Sequence, residues 1–262
     1  MRDLITESTA AIREHISLHP TIGIILGSGL GDFADSVSSA VSLDTGSIPH
    51  YPKSTIEGHR GRLVFGSLAG KQLMLFQGRV HFYETGRMEP ILYPVEIAHR
   101  LGVEILIVTN AAGGVSRKLS PGDLMVITDQ LNLTFQHHRT VQEYDEPLYD
   151  RKLIEVLSRV ASEQGIALHS GVYVGVKGPS YETAAEVEFI HRIGGDAVGM
   201  STIFETALAS SLGLRVAGIS LITNLGTGIT PLKLHHGEVT DVANRTSQAF
   251  RSLLTAFIGS LP

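Results

Sequence analysis

The chain has 262 residues, of which 43% are hydrophobic and 18% are charged. That balance excludes an intrinsically disordered chain, which combines low hydrophobicity with high net charge. A formal net charge of −5 argues against general binding to nucleic acid, and the absence of cysteine excludes disulfides, thiolate metal sites and cysteine nucleophiles.

The predicted elements alternate between strands and helices along the chain. The first is an amphipathic helix that would place Leu4, Ile5, Ile12 and Ile16 on one side and end before Pro20. Strands are predicted at residues 21–26, 62–65, 72–77, 103–109, 123–128, 172–177, 197–200 and 215–223. Helices are predicted at residues 90–101 and 151–164, from Thr183 to Gly194, from Thr202 to about Gly213, and from about Glu238 onward.

Two of these helices begin with the spacing of a capping box. Thr183 precedes Glu186 by three residues, and Thr202 precedes Glu205 by the same distance. In such a box the threonine side chain accepts a hydrogen bond from the first helical turn, and the glutamate reaches back to the threonine backbone. The spacing predicts that both boxes form.

The strand pattern indicates an α/β protein. Several strands, such as residues 105–108, are continuously apolar, as strands covered by helices on both faces are. No linker, repeat or low-complexity segment interrupts the pattern, so we expect one domain over residues 1–262. Residues 1–8 do not fit a signal peptide, and no run approaches the roughly 20 apolar residues of a spanning helix. We therefore expect a cytoplasmic protein with no membrane partner.

Glycine and polar residues cluster where the predicted strands end. The clusters are residues 27–31, 78–84, 110–114, 178–183, 201–202 and Asn224. In α/β sheets, ligands bind at the carboxyl ends of the strands. One shared site built from these loops is therefore the economical prediction.

Two of the clusters have the composition of anion sites. Glycines at 27–31 let backbone N–H groups approach an anion, although a tight turn explains them equally well, and the spacing fits neither a Walker A loop nor a dinucleotide fingerprint. In extended chain, Arg79, His81 and Tyr83 would share a face that suits an oxyanion beside a hydroxylated group, with Glu84 orienting His81. Residues 58–62 are basic and could cover an anion, but a solvated loop explains them as well.

Other residues suit a flat heterocycle. Glu182 next to the aromatic Tyr181 could read the N–H edge of such a ring, because a carboxylate accepts hydrogen bonds. Asn224 can donate and accept at once, although asparagine is also common in turns. No HExxH or Gly-x-Ser-x-Gly motif is present, so the sequence favours neither a zinc site nor a nucleophile-elbow hydrolase.

Six motifs in chain order resemble the homotrimeric, 6-oxopurine-specific class of purine nucleoside phosphorylases. They are residues 27–31, 77–84, 109–114, 178–183, 199–202 and 221–224, spread over nearly the whole chain. The resemblance implies a mixed, twisted and partly barrel-like sheet flanked by helices, and a homotrimer. It also implies phosphorolysis, in which phosphate attacks C1′ of inosine or guanosine to give the free base and α-(deoxy)ribose 1-phosphate. Phosphate is then a co-substrate, and no cofactor or metal is needed.

The resemblance assigns roles to individual residues. Phosphate would be bound by Ser28, His59, Arg79, His81, the backbone N–H of Ala111, and Ser201. The nucleoside would be bound by Tyr83, Tyr181, Glu182, Met200, Thr223, Asn224 and His236. Asn224, Glu182 and His81 would be the catalytic residues, with Asn224 on N7 and O6 of the departing base and Glu182 on its N1 edge.

One segment departs from the family's pattern. The family has a longer loop after the strand that ends near Thr128, and an aromatic side chain of that loop reaches the neighbouring subunit's ribose site. The corresponding residues 130–150 are short here, and Phe135 and Tyr144 are the candidates for that contact.

Four alternatives stand beside this interpretation. A methylthioadenosine phosphorylase is disfavoured because such relatives carry aspartate in place of Asn224, whereas a xanthosine phosphorylase stays open. An inactive purine-binding protein would need a damaged phosphate site, but Ser28, Arg79, His81 and Ser201 are all present. A nucleotide-dependent oxidoreductase lacks the required glycine spacing.

Overall fold

The computed structural model describes residues 2–55, 60–137, 147–230 and 236–262. The strands are β1 (Ile22–Leu26), β2 (Ser38–Asp44), β3 (Arg62–Leu68), β4 (Lys71–Gln77), β5 (Ile105–Gly114), β6 (Leu124–Asn132), β7 (Leu168–Gly175), β8 (Ala197–Gly199) and β9 (Arg215–Leu225). The helices are α1 (Arg2–Arg13), α2 (Phe82–Thr85), α3 (Glu89–Leu101), α4 (Arg151–Glu163), α5 (Ala184–Arg192), α6 (Ile203–Ser211) and α7 (His236–Ser260), with 3₁₀ turns at Gly31–Ser36 and Thr45–Ser47.

The strands form one mixed sheet that closes on itself over part of its width. Their order is β2-β3-β4-β1-β5-β8-β7-β6-β9, and β9 also pairs with β5. Strands β5, β8, β7, β6 and β9 therefore make a five-stranded barrel, and β1 to β4 extend from it as an open wing. The expectation of an α/β fold with a partly barrel-like mixed sheet is confirmed.

Strand β5 joins the wing to the barrel. It pairs in parallel with β1 on one side and with β9 from Ile105 to Gly114 on the other, and its last residues pair antiparallel with β8. Its side chains alternate: Leu106 and Val108 pack into one core layer, and Ile107 packs into the opposite layer. This alternation explains why residues 105–108 of the strand are all apolar.

Helices cover both faces of the sheet. One core layer contains apolar side chains of α1, α3 and α6, and the other contains side chains of α4 and α7. A smaller cluster places Val187 and Ile190 of α5 against the barrel. Among the described residues, no helix combines the length and the apolar character needed to cross a membrane.

Besides the unpredicted short helix α2 and shifted element ends, such as β6 continuing to Asn132 and β7 beginning at Leu168, the structure differs from the predicted elements in three places. Strand β2 was not predicted, because it is an edge strand whose mostly exposed side chains carry no strong hydrophobic period. Helix α1 ends at Arg13, so Ile16 is buried outside the helix, while Leu4 is 41% exposed rather than on the buried side. Strand β5 runs to Gly114, through residues that were expected to form a loop.

Candidate active site

A cavity of about 340 Å³ brings together most of the predicted site residues. Eleven of them line it: Ser28, Arg79, His81, Tyr83, Ala111, Tyr181, Glu182, Met200, Ser201, Thr223 and Asn224. Residues predicted to bind phosphate and residues predicted to bind the nucleoside thus share one space.

The strands reach this cavity from two directions. Strands β1, β4, β5 and β9 contribute residues at or just beyond their carboxyl halves, as predicted. Strand β8, however, runs antiparallel to β5, pairing Val198 with Gly113, so Met200 and Ser201 come from the opposite direction. The expectation of a single carboxyl edge is therefore wrong for β8, because barrel closure mixes strand directions.

The glycine-rich loop after β1 is required by a close approach of two strands. A Cβ atom at Gly27 would lie 2.6 Å from the Cα of Asn110, and the Gly27 N–H donates to Thr109 Oγ1 at 3.1 Å. Glycine lets the backbone of Ser28 enter the cavity directly beside β5. The tight-turn and anion-site explanations of this loop are thus compatible.

His81 and Glu84 form one unit, as the sequence predicts. Glu84 Oε1 lies 3.2 Å from His81 Nδ1 and accepts from the His81 backbone N–H at 2.6 Å. Burial alone would raise the pKa of Glu84, but hydrogen bonds from His81 and Thr55 outweigh it and lower the pKa to about 2. Because the ionised carboxylate can only accept, the hydrogen of this pair is on Nδ1 of His81.

The backbone is extended at His81, as the sequence suggested, but it turns into the short helix α2 at Phe82, so Tyr83 is helical and not part of an extended chain. His81 precedes the short helix α2, and its ring stacks on Tyr83 with centroids 5.1 Å apart and planes inclined by 13°. Burial and the nearby Glu84 raise the pKa of Tyr83, so its hydroxyl stays neutral. The two side chains therefore do share a face of the cavity, but through a helical turn.

Arg79 is buried and held by acceptors from two parts of the chain. Its Nη1 lies 3.2 Å from Glu205 Oε1 and 3.4 Å from Thr202 Oγ1, and its Nη2 donates to the carbonyl of Thr109. The side chains of Arg79 and Glu205 are only 5% and 2% exposed. The guanidinium at the cavity wall is thus charge-compensated inside the fold.

The capping box predicted at Thr202 and Glu205 does not form. Thr202 precedes α6 with φ +75° and makes no side-chain cap bond. Its Oγ1 instead contacts Arg79, Ser201 and the Nδ2 of Asn110, the last at 2.9 Å. The box at Thr183 and Glu186 does form, because that turn is exposed and offers the glutamate no stronger partner.

The other half of the cavity carries the residues predicted to bind the base. Burial raises the pKa of Glu182, and Tyr181 beside it is 43% exposed. Met200 is packed so tightly against Gly178 that a Cβ there would collide with its sulfur. This half therefore offers a carboxylate, an aromatic ring and an apolar thioether around one opening.

Asn224 is the last residue but one of strand β9, and its neighbours anchor its amide. Thr223 Oγ1 donates to Asn224 Oδ1 at 3.0 Å, and Asn224 Nδ2 donates to the carbonyl of Leu225 at 3.3 Å. Thr223 is buried within the strand. The two residues are part of β9 rather than of a turn, which removes the turn explanation for Asn224.

Some predicted residues lie outside the described part of the chain. His59 and Tyr144 are among them, and His236 is described only as the first residue of α7, without its side chain. Phe135 is described: it is 77% exposed and lines a second cavity of about 410 Å³, which shares Tyr181 and Glu182 with the first.

The sequence analysis assigned no role in binding or catalysis to Asn110, Glu205 or Tyr173. Asn110 lines the cavity, and the hydroxyl of buried Tyr173 accepts from the Ser201 N–H at 3.4 Å. The one available signal was a polar residue directly after the apolar run 105–108, which marks Asn110. Glu205 and Tyr173 become recognisable only from their tertiary partners.

Comparison with known proteins agrees with this geometry. Residues 21–259 match the family model described as "Phosphorylase superfamily". The chain is 43% identical to purine nucleoside phosphorylase 1 of Bacillus subtilis over 267 residues, covering 98% of both chains. Crystal structures of Schistosoma purine nucleoside phosphorylase with hypoxanthine and with adenosine match with TM-scores of 0.92 and 0.91, at 34% and 35% identity, and cover 99% of this chain and 98% of theirs. The chain therefore belongs to the phosphorylase superfamily and, within it, to the purine nucleoside phosphorylases.

Proposed function

We propose that the protein catalyses the reversible phosphorolysis of 6-oxopurine (deoxy)ribonucleosides, inosine and guanosine, to the free base and α-(deoxy)ribose 1-phosphate. The observation that carries this proposal is the shared cavity, which is lined by an arginine, a histidine and two serines together with a carboxylate and an amide. An anion and a purine bound there would meet at the sugar between them.

The phosphate half consists of Ser28, Arg79, His81, the Ala111 backbone and Ser201. Arg79 supplies a fixed positive charge, and the two serine hydroxyls and the Ala111 N–H supply neutral donors. Glu84 accepts the hydrogen bond from Nδ1–H of His81. The neutral imidazole therefore offers Nε2 as an acceptor for a P–OH group, whereas the imidazolium form offers Nε2–H as a donor to P–O⁻. His59 is proposed to reach the same anion from residues outside the described part of the chain.

The base half consists of Tyr181, Glu182, Thr223 and Asn224, while Tyr83, Met200 and His236 are proposed to bind the ribose. As the bond from C1′ to the purine breaks, negative charge develops on the base. The one amide hydrogen of Asn224 that does not go to the Leu225 carbonyl is then shared between N7 and O6, and Glu182 accepts from N1–H. Donors aimed at charge that develops in the transition state lower the barrier more than they strengthen substrate binding.

The preference for 6-oxopurines follows from the Asn224 amide. Its oxygen accepts from Thr223, which leaves the nitrogen as the group that meets the base. A donor suits the acceptors N7 and O6 of inosine and guanosine, whereas the 6-amino group of adenosine is itself a donor. The Schistosoma relative has been crystallised with adenosine, so the preference is proposed for catalytic efficiency and not for binding alone. Preference for xanthosine remains the second candidate, since xanthosine also carries a 6-oxo group.

The remaining expectations complete the proposal. We propose a single domain over residues 1–262, a homotrimer and a cytoplasmic location. Phe135 is the described candidate for a contact with a neighbouring subunit, because it is strongly exposed and lies beside Tyr181 at the second cavity. Light scattering of the purified protein would test the trimer.

Base release measured with and without phosphate tests the function. We expect hypoxanthine from inosine only when phosphate is present, with formation of ribose 1-phosphate and poor turnover of adenosine. Phosphate-independent release would make the protein a hydrolase. Purine binding without any release would leave the inactive binding protein as the explanation.

A further inference from the structure

The strongest unexplained feature outside the proposed contacts is the buried cluster behind Arg79. It consists of Thr202, Glu205 and Asn110, none of which was given a role in binding or catalysis by the sequence analysis. Among the described residues, buried side-chain atoms without a hydrogen-bond partner are Glu205 Oε2, Asn110 Oδ1 and Ser220 Oγ. Asn110 and Ser220 are register partners on β5 and β9, so two of these atoms without hydrogen-bond partners belong to neighbouring residues of the barrel.

We propose that Glu205 and Thr202 are positioning residues for the reaction, which fix the guanidinium of Arg79 in the orientation that binds phosphate. The proposal rests on the function proposed above. Glu205 Oε1 and Thr202 Oγ1 both contact Nη1 of Arg79, at 3.2 and 3.4 Å, from the side of α6. Acceptors on that inner side determine which edge of the planar guanidinium faces the cavity.

The conformation of Thr202 supports a positioning role. A β-branched residue at φ +75° is strained, and such strain persists at functional sites when surrounding contacts impose it. The local sequence would allow the Thr202 hydroxyl to cap α6, but the hydroxyl makes no cap hydrogen bond. It contacts Arg79, Asn110 and Ser201 instead. Two proposed phosphate-binding side chains thus share one hydroxyl.

Stability alone does not account for Glu205. A buried ion pair loses much of its attraction to the cost of desolvating both charges, and an apolar pair of similar size is often at least as stable. Glu205 also keeps one carboxylate oxygen unpartnered among the described residues, which adds to that cost. The buried pair of Arg79 and Glu205 is therefore better explained by its effect on the orientation of the Arg79 guanidinium than by its effect on stability.

The test compares four variants by their KM for phosphate and their KM for inosine, each measured with the other substrate saturating. Glu205→Gln keeps the size and removes the charge, whereas Thr202→Val keeps the shape and removes the hydroxyl. Thr202→Ser restores the hydroxyl. Thr206→Val is the matched control, because Thr206 is as buried as Thr202 but its hydroxyl hydrogen-bonds Gln130 and the backbone carbonyls of Thr202 and Ile203 instead of the Arg79 guanidinium.

We expect Glu205→Gln and Thr202→Val to raise the KM for phosphate about tenfold, and the KM for inosine by less than about twofold, the effect of one charge-assisted hydrogen bond. Thr202→Ser should remain close to the wild type. Thr206→Val should lower the Tm without separating the two KM values. The increase in Tm that phosphate produces should shrink in the first two variants only, and this readout needs no turnover.

Three results would overturn the proposal. They are equal changes in both KM values, the same separation in Thr206→Val, and a lower KM for phosphate in Glu205→Gln, which would mean that the carboxylate competes with phosphate. If Glu205→Gln does not fold, the comparison of Thr202→Val with Thr202→Ser tests the proposal alone. If the wild type releases no base but phosphate still raises its Tm, the proposed function fails while the Tm comparison continues to test the positioning of Arg79.

Discussion

Thr223 and Asn224 form a consecutive pair in which one side chain orients the other. The Thr223 hydroxyl donates to Asn224 Oδ1 at 3.0 Å, and one hydrogen of the amide nitrogen goes to the carbonyl of Leu225. An amide nitrogen carries two hydrogens, so the second can serve a ligand. The amide therefore offers the cavity a donor at a set angle.

Removing this donor should slow the chemical step more than it weakens binding. We expect Asn224→Ala to reduce kcat on inosine by about 10²–10³, as loss of a donor aimed at developing charge does elsewhere. Steady-state kinetics with saturating phosphate would measure the effect. Turnover near that of the wild type would contradict the role of Asn224.

Exchanging the amide for a carboxylate should change the choice of base. In Asn224→Asp the side chain only accepts, so it suits the 6-amino group of adenosine and repels the O6 of inosine. We expect the ratio of kcat/KM for adenosine to that for inosine to rise at least about tenfold. An unchanged ratio would show that the amide does not set specificity, and Thr223→Val would then test whether its orientation matters.

The His81–Glu84 unit should connect stability to pH. The folded pKa of Glu84 is about 2. It lies below the roughly 4.3 of an unfolded chain, so the ionised carboxylate stabilises the fold above about pH 4 and loses this effect as pH falls towards 2. Glu84→Gln should therefore unfold more easily at neutral pH, and its deficit should shrink across that acidic interval. Urea titrations at several pH values would measure this.

A surface carboxylate provides the comparison for that experiment. Glu163 pairs with Arg159 on α4 and is 58% exposed. Glu163→Gln should change the free energy of unfolding by less than about 1 kcal/mol at any pH. A deficit in Glu84→Gln that is no larger, or that does not depend on pH, would contradict the account of Glu84.

Glu182 should set the acidic limit of nucleoside use. Its pKa is raised, first of all by burial, so it takes up a proton at a higher pH than an ordinary glutamate. A protonated Glu182 no longer accepts from N1–H as a carboxylate. With saturating phosphate, kcat/KM for inosine should therefore fall in acid with an apparent pKa above roughly 4.3, and this limb should be absent in Glu182→Gln. Persistence of the limb would assign it to another group.

The glycine loop after β1 offers a test of packing with an internal control. Gly27→Ala would place a methyl group 2.6 Å from the Cα of Asn110, whereas the nearest atom at Gly31 is 3.5 Å away, on the side chain of Gln77. We expect Gly27→Ala to cost about 1–3 kcal/mol of stability and to weaken phosphate binding, because β1 and β5 must separate. Gly31→Ala should be nearly neutral. Equal effects in the Tm of both variants would contradict the close approach.

The sequence predicted the fold where side-chain pattern and local geometry agree. Apolar runs marked the buried strands, and the Thr183 box marked the start of α5. The two threonine boxes have identical spacing, yet only tertiary structure reveals that Glu205 faces Arg79 and Glu186 faces water. Local sequence cannot separate these cases, because the deciding partner lies more than a hundred residues away.

The extent of β5 and the existence of β2 could not be predicted from the sequence for a related reason. Residues 110–114 begin with an asparagine and end with two glycines and so resemble a loop, but pairing with β9 on one side and β8 on the other holds them in the sheet. Edge strand β2 pairs only with β3 in the described sheet, and most of its side chains are exposed. Its sequence therefore shows little of the hydrophobic alternation that marks a buried strand. Long-range pairing thus overrode propensity in β5 and supplied the strand in β2.

The position of β5 has a consequence for how the cavity can be lost. The loops that present Ser28, Arg79 and His81 belong to the open wing, whereas Ser201 and Asn224 belong to the barrel, and β5 is bonded to both. Local fraying at the periphery leaves that shared strand intact. Separating the wing residues of the cavity from its barrel residues would require breaking the central hydrogen-bond ladders, so the cavity should persist through partial opening and disappear together with the core.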